Sequence, residues 1–207
     1  VHTVQCGGAI RECFSSYPAK ISAYRIESET RFSFIASASS KLKSHVVCDD
    51  GLNLLGNAPD YAAPNYLRNK PRPIRFDEGR AMGFCLRTEI DTDGVLSFEK
   101  GRALVKNASY AVLFFATATG FEAFNKMPDT SAEHALEKCK KLLKSAGRDY
   151  DKLKAEHIRD YSSLYSRQSV SLTDDKGVFC KELLAGAAKE KPSAALCELL
   201  YNYGKYL

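Results

Sequence analysis

"YAVLFFATAT", residues 110 to 119, is the longest apolar run in the chain and carries no charge. Ten residues fall well short of the roughly 20 that a membrane-spanning helix needs, and the aromatic and β-branched content is that of a strand. Apolar side chains stand at both odd and even positions, so both faces of this strand must be covered. It reads as the central strand of a layered β structure.

The segments before it have the same character. Short runs rich in β-branched and aromatic residues are separated by turn formers: "CGG" at 6 to 8, "DDG" at 49 to 51, "GNAPD" at 56 to 60 and "DTDG" at 91 to 94. Such punctuation predicts an antiparallel sandwich up to about residue 126. In "RFSFIAS" (31 to 37) strict alternation places Phe32, Phe34 and Ala36 on one face and Ser33, Ile35 and Ser37 on the other. "DTDG" lacks the further oxygen ligands and the spaced glutamate of a calcium loop, and is read as a hairpin turn around Asp93-Gly94.

From about residue 129 the period becomes helical. "TSAE" (130 to 133) predicts a capping box, with Thr130 as cap and Glu133 reaching back. Ala135, Leu136, Cys139, Leu142 and Leu143 then form one apolar stripe that ends near Gly147. In "DYDKLKAEHIRDYSSLYSR" (149 to 167) Tyr150, Leu153, His157, Ile158, Tyr161, Leu164 and Tyr165 recur at spacings of three and four. This predicts a strut whose apolar face is buried, with Lys152, Lys154, Glu156, Arg159 and Asp160 turned outward. His157, on the apolar face and without a sequence-local partner, reads as a hydrogen-bonded packing residue. "SAALCELLYNYGKYL" (193 to 207) gives a third stripe of Leu196, Leu199, Leu200, Tyr203, Tyr206 and Leu207, which stops in mid-pattern. At the other end the chain opens on "VHTVQCGG", without methionine, and reads as a fragment.

Composition narrows the function classes. With 44% hydrophobic and 27% charged residues in 207, neither disorder nor a membrane class is favoured. The net charge of +5 is mild, and the basic cluster Lys138, Lys140, Lys141 and Lys144 lacks interleaved aromatics, so it reads as a solvated helix face and not a nucleic-acid surface. Seven cysteines are scattered without a CxxC pair, which points to reduced thiols and a reducing, cytoplasmic compartment. The four histidines lie far apart, so no metal site and no cofactor is expected.

The stretch that most looks like an active site is "PIRFDEGRAMGF" (73 to 84), where Asp77 and Glu78 are adjacent. In an extended segment they would point to opposite sides of the backbone, whereas glycoside hydrolysis needs two carboxyl groups across one sugar, about 5–9.5 Å apart. Arg75 and Arg80 bracket the pair, so an ion-paired corner entering the strand at 80 to 90 is expected.

The order of motifs nevertheless resembles a known family. "IRECFSSYP" (10 to 18), "PIRFDEGRAMGF", "ATATGFEAFNKMPD" (116 to 129), "DYDKLKAEHIRDYSSLYSR" and "YNYGKYL" (201 to 207) are similar, in sequence and order, to landmarks of the N-terminal region of glycoside hydrolase family 95, the α-L-fucosidases and their α-L-galactoside-cleaving relatives. The resemblance implies an α+β chain: an antiparallel β-sandwich over 1–126, incomplete at its start, a helical linker over 127–190, and over 191–207 the first helix of a missing (α/α)6 barrel. It implies inverting hydrolysis of a glycan in the intact enzyme, packing of this chain against that barrel, and no cofactor. The family's acid and base would lie beyond residue 207, so no catalytic, cofactor-binding or metal residue is assigned here and the chain by itself is expected to be inactive. The alternative is a non-catalytic carbohydrate-binding sandwich, for which Tyr61 and Tyr66 in "PDYAAPNYLRNKP" (59 to 71) offer stacking rings.

Overall fold

The computed structural model describes residues 1–64, 66–67, 71, 73–173, 180–187 and 192–206, with only the backbone for residues 6, 187 and 206. Leu207 and parts of the 59–71 loop therefore lie outside the described residues. The chain divides into two compact units, Val1–His157 and Ile158–Leu207.

The first unit is built on an antiparallel sheet. Its strands are β1 (His2–Cys6), β2 (Ala9–Ser16), β3 (Ile21–Ser37), β4 (Lys43–Cys48), β5 (Leu52–Asn57), β8 (Gly83–Thr92), β9 (Val95–Glu99) and β10 (Arg102–Thr119). A separate two-stranded ribbon joins β6 (Tyr61–Ala62) to β7 (Ile74–Arg75). The order in the main sheet is β1-β2-β3-β10-β8-β5-β4, with β9 also on β10. The run at 110 to 119 is thus a central strand, flanked by β3 and β8. Its parity splits as the sequence implied. Val112, Phe114 and Ala116 join one core with Phe14, Ile21 and helix residues, whereas Ala111 and Leu113 join a second with Ala103, Val105 and Ile90. Phe32, Phe34 and Ala36 pack on that second core while Ile35 is exposed.

The turns read at 6 to 8 and 49 to 51 are hairpins in the structure. The one expected at Asp93-Gly94 is not. β8 and β9 are both antiparallel to β10 and follow one another along the edge that β3 leaves free. The chain reverses at Lys100-Gly101, where both residues have positive φ (50° and 72°), as a tight two-residue turn requires. Asp93-Gly94 is instead a break within one long strand: Thr92 faces Ala111 and Val95 faces Lys106, so two residues oppose four. The Asp93 carboxylate fills the gap, accepting from Ser109 N and Oγ, Tyr110 N and Arg31. Gly94 must be glycine, because a Cβ there would come within 2.6 Å of the Lys106 carbonyl oxygen. β3 breaks register at the same level, between Glu27 and Phe32. The pairing of three neighbouring strands is therefore interrupted at one level.

Helix α1 (Ala132–Ala146) covers one face through Ala135, Cys139 and Leu143, and ends where the Gly147 N–H donates to the Leu143 carbonyl. The cap is Ser131 and not Thr130: Ser131 has extended backbone, and its Oγ accepts from His134 N at 3.1 Å. The Thr130 carbonyl is occupied by Asn57 Nδ2, and Glu133 accepts from Ser131 Oγ.

Helix α2 (Tyr150–Tyr165) starts on the sheet, with Tyr150 and Leu153 buried and His157 stacked on Phe14 at 5.2 Å. The expected strut is corrected in two places. Ile158 and Leu164 are exposed, and Lys154 is drawn inward to Glu12 at 2.7 Å.

In the second unit Tyr161 stacks on Tyr165, and Lys205 sits over the Tyr165 ring and donates to the Gln168 carbonyl. Helices α3 (Cys180–Ala187) and α4 (Ala194–Tyr206) pack together, and Glu198 accepts from Leu172 N. Leu196 is buried, but Leu199, Leu200 and Tyr203 stand exposed on α4.

Candidate functional site

The acidic pair at 77 and 78 lies in a turn. Asp77 accepts Gly79 N with its side chain, and the N–H groups of Arg80 and Ala81 with its carbonyl. Among the described residues neither Asp77 nor Glu78 has an ion-pair partner, and both are exposed. The corner is held by an acid the sequence reading passed over. Arg75 donates from Nε and Nη2 to Asp60 Oδ2 at 2.9 and 2.7 Å, and Asp60 Oδ1 accepts from Asp77 N. The Arg75 hydrogen bond holds the Asp60 carboxyl below its ordinary range. Among the described residues the Arg80 side chain forms no ion pair, and only its backbone N–H joins the turn.

This ribbon and a second loop spring from the same end of the sheet. Ala58 N donates to Met82 O, Gly83 N to Asp129 O, Gly120 N to Gly83 O and Asp129 N to Gly120 O. Gly83 and Gly120 allow the close approach: a Cβ on Gly120 would lie 1.8 Å from the Asp129 oxygen. The loop from 121 to 128 thus has a fixed base, further tied by Asp129 to His134 at 2.7 Å. Its tip presents Phe121, Phe124 and Met127 at 62%, 95% and 62% exposure. Tyr66 (80%), Ile74 (59%) and Phe76 project from the ribbon and its connecting loop. Tyr61 is half-buried, with the Arg75 guanidinium 5.7 Å from its ring centre, so of the two tyrosines singled out only Tyr66 is a free ring surface.

Two buried charge clusters tie the helices to the sheet. Glu12 accepts from Tyr150 Oη at 2.9 Å and pairs with Lys154 at 2.7 Å, with Arg25 at 3.8 Å. Burial alone would raise its pKa, but the hydrogen bonds from Lys154 and Tyr150 outweigh that and hold it below the ordinary value; the same contact and burial push the Tyr150 phenol up. Arg87, 1% exposed, spends all three nitrogens: Nη1 on Asp49 and Asn53, Nη2 on Asp50 and Nε on Glu89. Glu89 also accepts from Arg148 beyond α1, at 2.8 Å. At Gly51 a Cβ would crowd this guanidinium, meeting its Cζ at 3.0 Å. A signal for both clusters existed in strand parity: Glu12 shares a face with Phe14, and Arg87 with Cys85. Among the described residues no group of three or more His, Cys, Asp or Glu side chains is placed to hold a metal ion, and no helix is long and apolar enough to cross a membrane.

Comparison with known proteins relates the chain to glycoside hydrolases. The model of the glycosyl hydrolase family 95 catalytic domain matches residues 149–207. "Alpha-L-fucosidase 2" of Arabidopsis thaliana is 26% identical over 214 residues, covering 95% of this chain and 25% of that protein. The chain thus spans about a quarter of the curated relative it matches. Both findings support the family 95 resemblance. Among solved structures it is similar to "Putative kojibiose phosphorylase from human microbiome", with 8% identity, a TM-score of 0.44, and coverage of 79% of this chain and 22% of that one.

Proposed function

We propose that this family 95 relative is the sheet-and-linker part of a glycoside hydrolase that inverts configuration at α-L-fucosides or α-L-galactosides, and that it is itself inactive. The observation that carries the reading is the family catalytic-domain match at 149–207, which starts on a helix whose first turns are fastened to the sheet by Glu12 and Phe14. In this reading residues 1–126 form the N-terminal β domain, 127–190 the linker and 191–207 the first helix of an (α/α)6 barrel. The exposed Leu199, Leu200 and Tyr203 are the face that later barrel helices cover. In the intact enzyme a barrel carboxylic acid would protonate the leaving oxygen while a base-activated water attacks from the opposite face.

What this chain's residues contribute is placement. Glu12 and Lys154 fix where the linker leaves the sheet, and an active site assembled from later helices inherits that geometry. The test is to continue residues 1–207 into a family 95 catalytic domain and compare Glu12→Gln with the parent. A placement role predicts reduced turnover of an aryl α-L-fucoside with an unchanged pH profile. A shifted pH optimum would assign Glu12 to proton transfer instead.

The second reading, a non-catalytic glycan-binding module, is favoured by the freely exposed Tyr66 ring. It differs in requiring that the isolated chain bind glycan and that no catalytic domain follow.

A further inference from the structure

Cysteines scattered along a sequence carry no pairing information, but the fold brings two of them together. Cys85 lies on β8 and Cys139 on α1, 54 positions apart, and both belong to the core that α1 buries against the sheet. Cys139 is 0% and Cys85 2% exposed, so neither sulfur meets solvent. The Cys139 thiol donates to the Ala116 carbonyl at 3.4 Å and to the carbonyl of Cys85 itself at 3.7 Å. The Cys85 thiol hydrogen-bonds in turn with Cys139, and this bond together with burial pushes its pKa up. The two sulfurs therefore interact across the seam between helix and sheet. Four other described cysteines differ: Cys13 and Cys48 are half-buried on β2 and β4, and Cys180 and Cys197 are exposed on α3 and α4. As packing alone, the buried pair does no more than two small apolar residues would. As a pair of thiols it can also be oxidised, a property that the placement of a catalytic domain does not use.

We propose that Cys85 and Cys139 form a redox-dependent staple: when the chain folds in the presence of a small-molecule disulfide, such as that of glutathione, the two close to a disulfide that pins α1 to β8. The step balances as two exchanges. One protein thiolate attacks the oxidant, forming a mixed disulfide and releasing one thiol; the second protein thiolate attacks the protein sulfur of that mixed disulfide and releases the other. Each protein thiol gives up a proton and an electron, and the two halves of the oxidant take them. A glutathionyl group has no space beside a sulfur without exposed surface, so the exchange precedes the docking of α1. The closed bond joins the ends of a segment that carries β9, β10 and the start of α1, and restricts the unfolded chain over that whole length. Under reducing conditions the helix is held by packing alone, through Ala135, Cys139 and Leu143.

The experiment refolds the 207-residue chain from urea in a mixture of oxidised and reduced glutathione, and in parallel with excess reductant. Peptide mapping without reduction should recover a linked Cys85–Cys139 peptide from the first sample and not from the second. The linked chain should unfold roughly 5–15 °C above the reduced one, and Cys139→Ala should remove that difference. The same oxidant added to the folded chain should form the bond on the order of tenfold more slowly, since α1 must first lift from the sheet. Absence of the linked peptide after oxidative refolding would overturn the proposal, as would linkage of Cys85 to a different cysteine or a linked chain no more stable than the reduced one. Equal rates from the folded and unfolded chain would overturn it too, by showing the sulfurs open to solvent. The mapping is made on the unsubstituted chain, so it decides the matter even if Cys139→Ala fails to fold.

Discussion

Glu12 illustrates how one residue fixes an element. Its carboxylate takes a phenol and an ammonium from α2, so removing its charge leaves Lys154 half-buried without its partner. Glu12→Gln should cost about 1–3 kcal/mol in urea unfolding at neutral pH. Asp93 makes a different prediction, about pH. Its pKa falls from the ordinary 3.8 to about 2, first through the Ser109 hydroxyl and then through backbone N–H groups of Ser109 and Tyr110. A carboxyl depressed on folding stabilises fully above its unfolded pKa and loses that contribution as pH falls through the folded one. Unfolding midpoints should therefore drop between pH 4 and pH 2, and Asp93→Asn should flatten that limb; an identical limb in the variant would mean that other carboxyls dominate. Neither role was legible from the sequence. Charge type and strand parity place Glu12 on an inner face, but its partner lies 138 positions away. Asp93-Gly94 has the composition of a hairpin turn, and only pairing with β10 shows the chain running on.

At the scale of elements, periodicity found α1, α2 and α4 but neither α3 (Cys180–Ala187) nor what lies beneath the helices. The stripe from Tyr150 to Tyr165 is continuous in sequence, yet of its residues only Tyr150 and Leu153 are buried. Leu153→Ala should cost about 2–5 kcal/mol, as buried leucines do, whereas Ile158→Ala should stay within about 0.5 kcal/mol. Lys154→Ala should exceed Ile158→Ala, the reverse of what the apolar stripe alone suggests. Chemical denaturation of the three variants decides this, and a large loss in Ile158→Ala would show that the second half of α2 is covered. The central strand at 110 to 119 was fully legible because being apolar on both parities admits few arrangements. The Asp60–Arg75 corner was not, since the expected acids at 77 and 78 are nearer in sequence and the true partner is fifteen residues back.

For the whole molecule, the exposed face of α4 and the completeness of the sheet's own core predict that the two units respond separately. Deleting 193–207 removes Leu199, Leu200 and Tyr203, and should lower self-association in light scattering while leaving the β signal in circular dichroism. Loss of that signal would mean that the sheet depends on the deleted helix. The family assignment came from motif order, which fold physics alone could not supply, since an antiparallel sheet with helices serves many activities. The central claim is that this chain places a catalytic domain and does not itself cleave glycosides. It is tested most directly by the release of aryl alcohol from an aryl α-L-fucoside, measured side by side for the 207-residue chain and for the same chain continued into a family 95 catalytic domain. The account predicts no turnover above buffer for the first and turnover with inversion for the second. Turnover by the 207-residue chain, abolished by Asp77→Asn or Glu78→Gln, would contradict it.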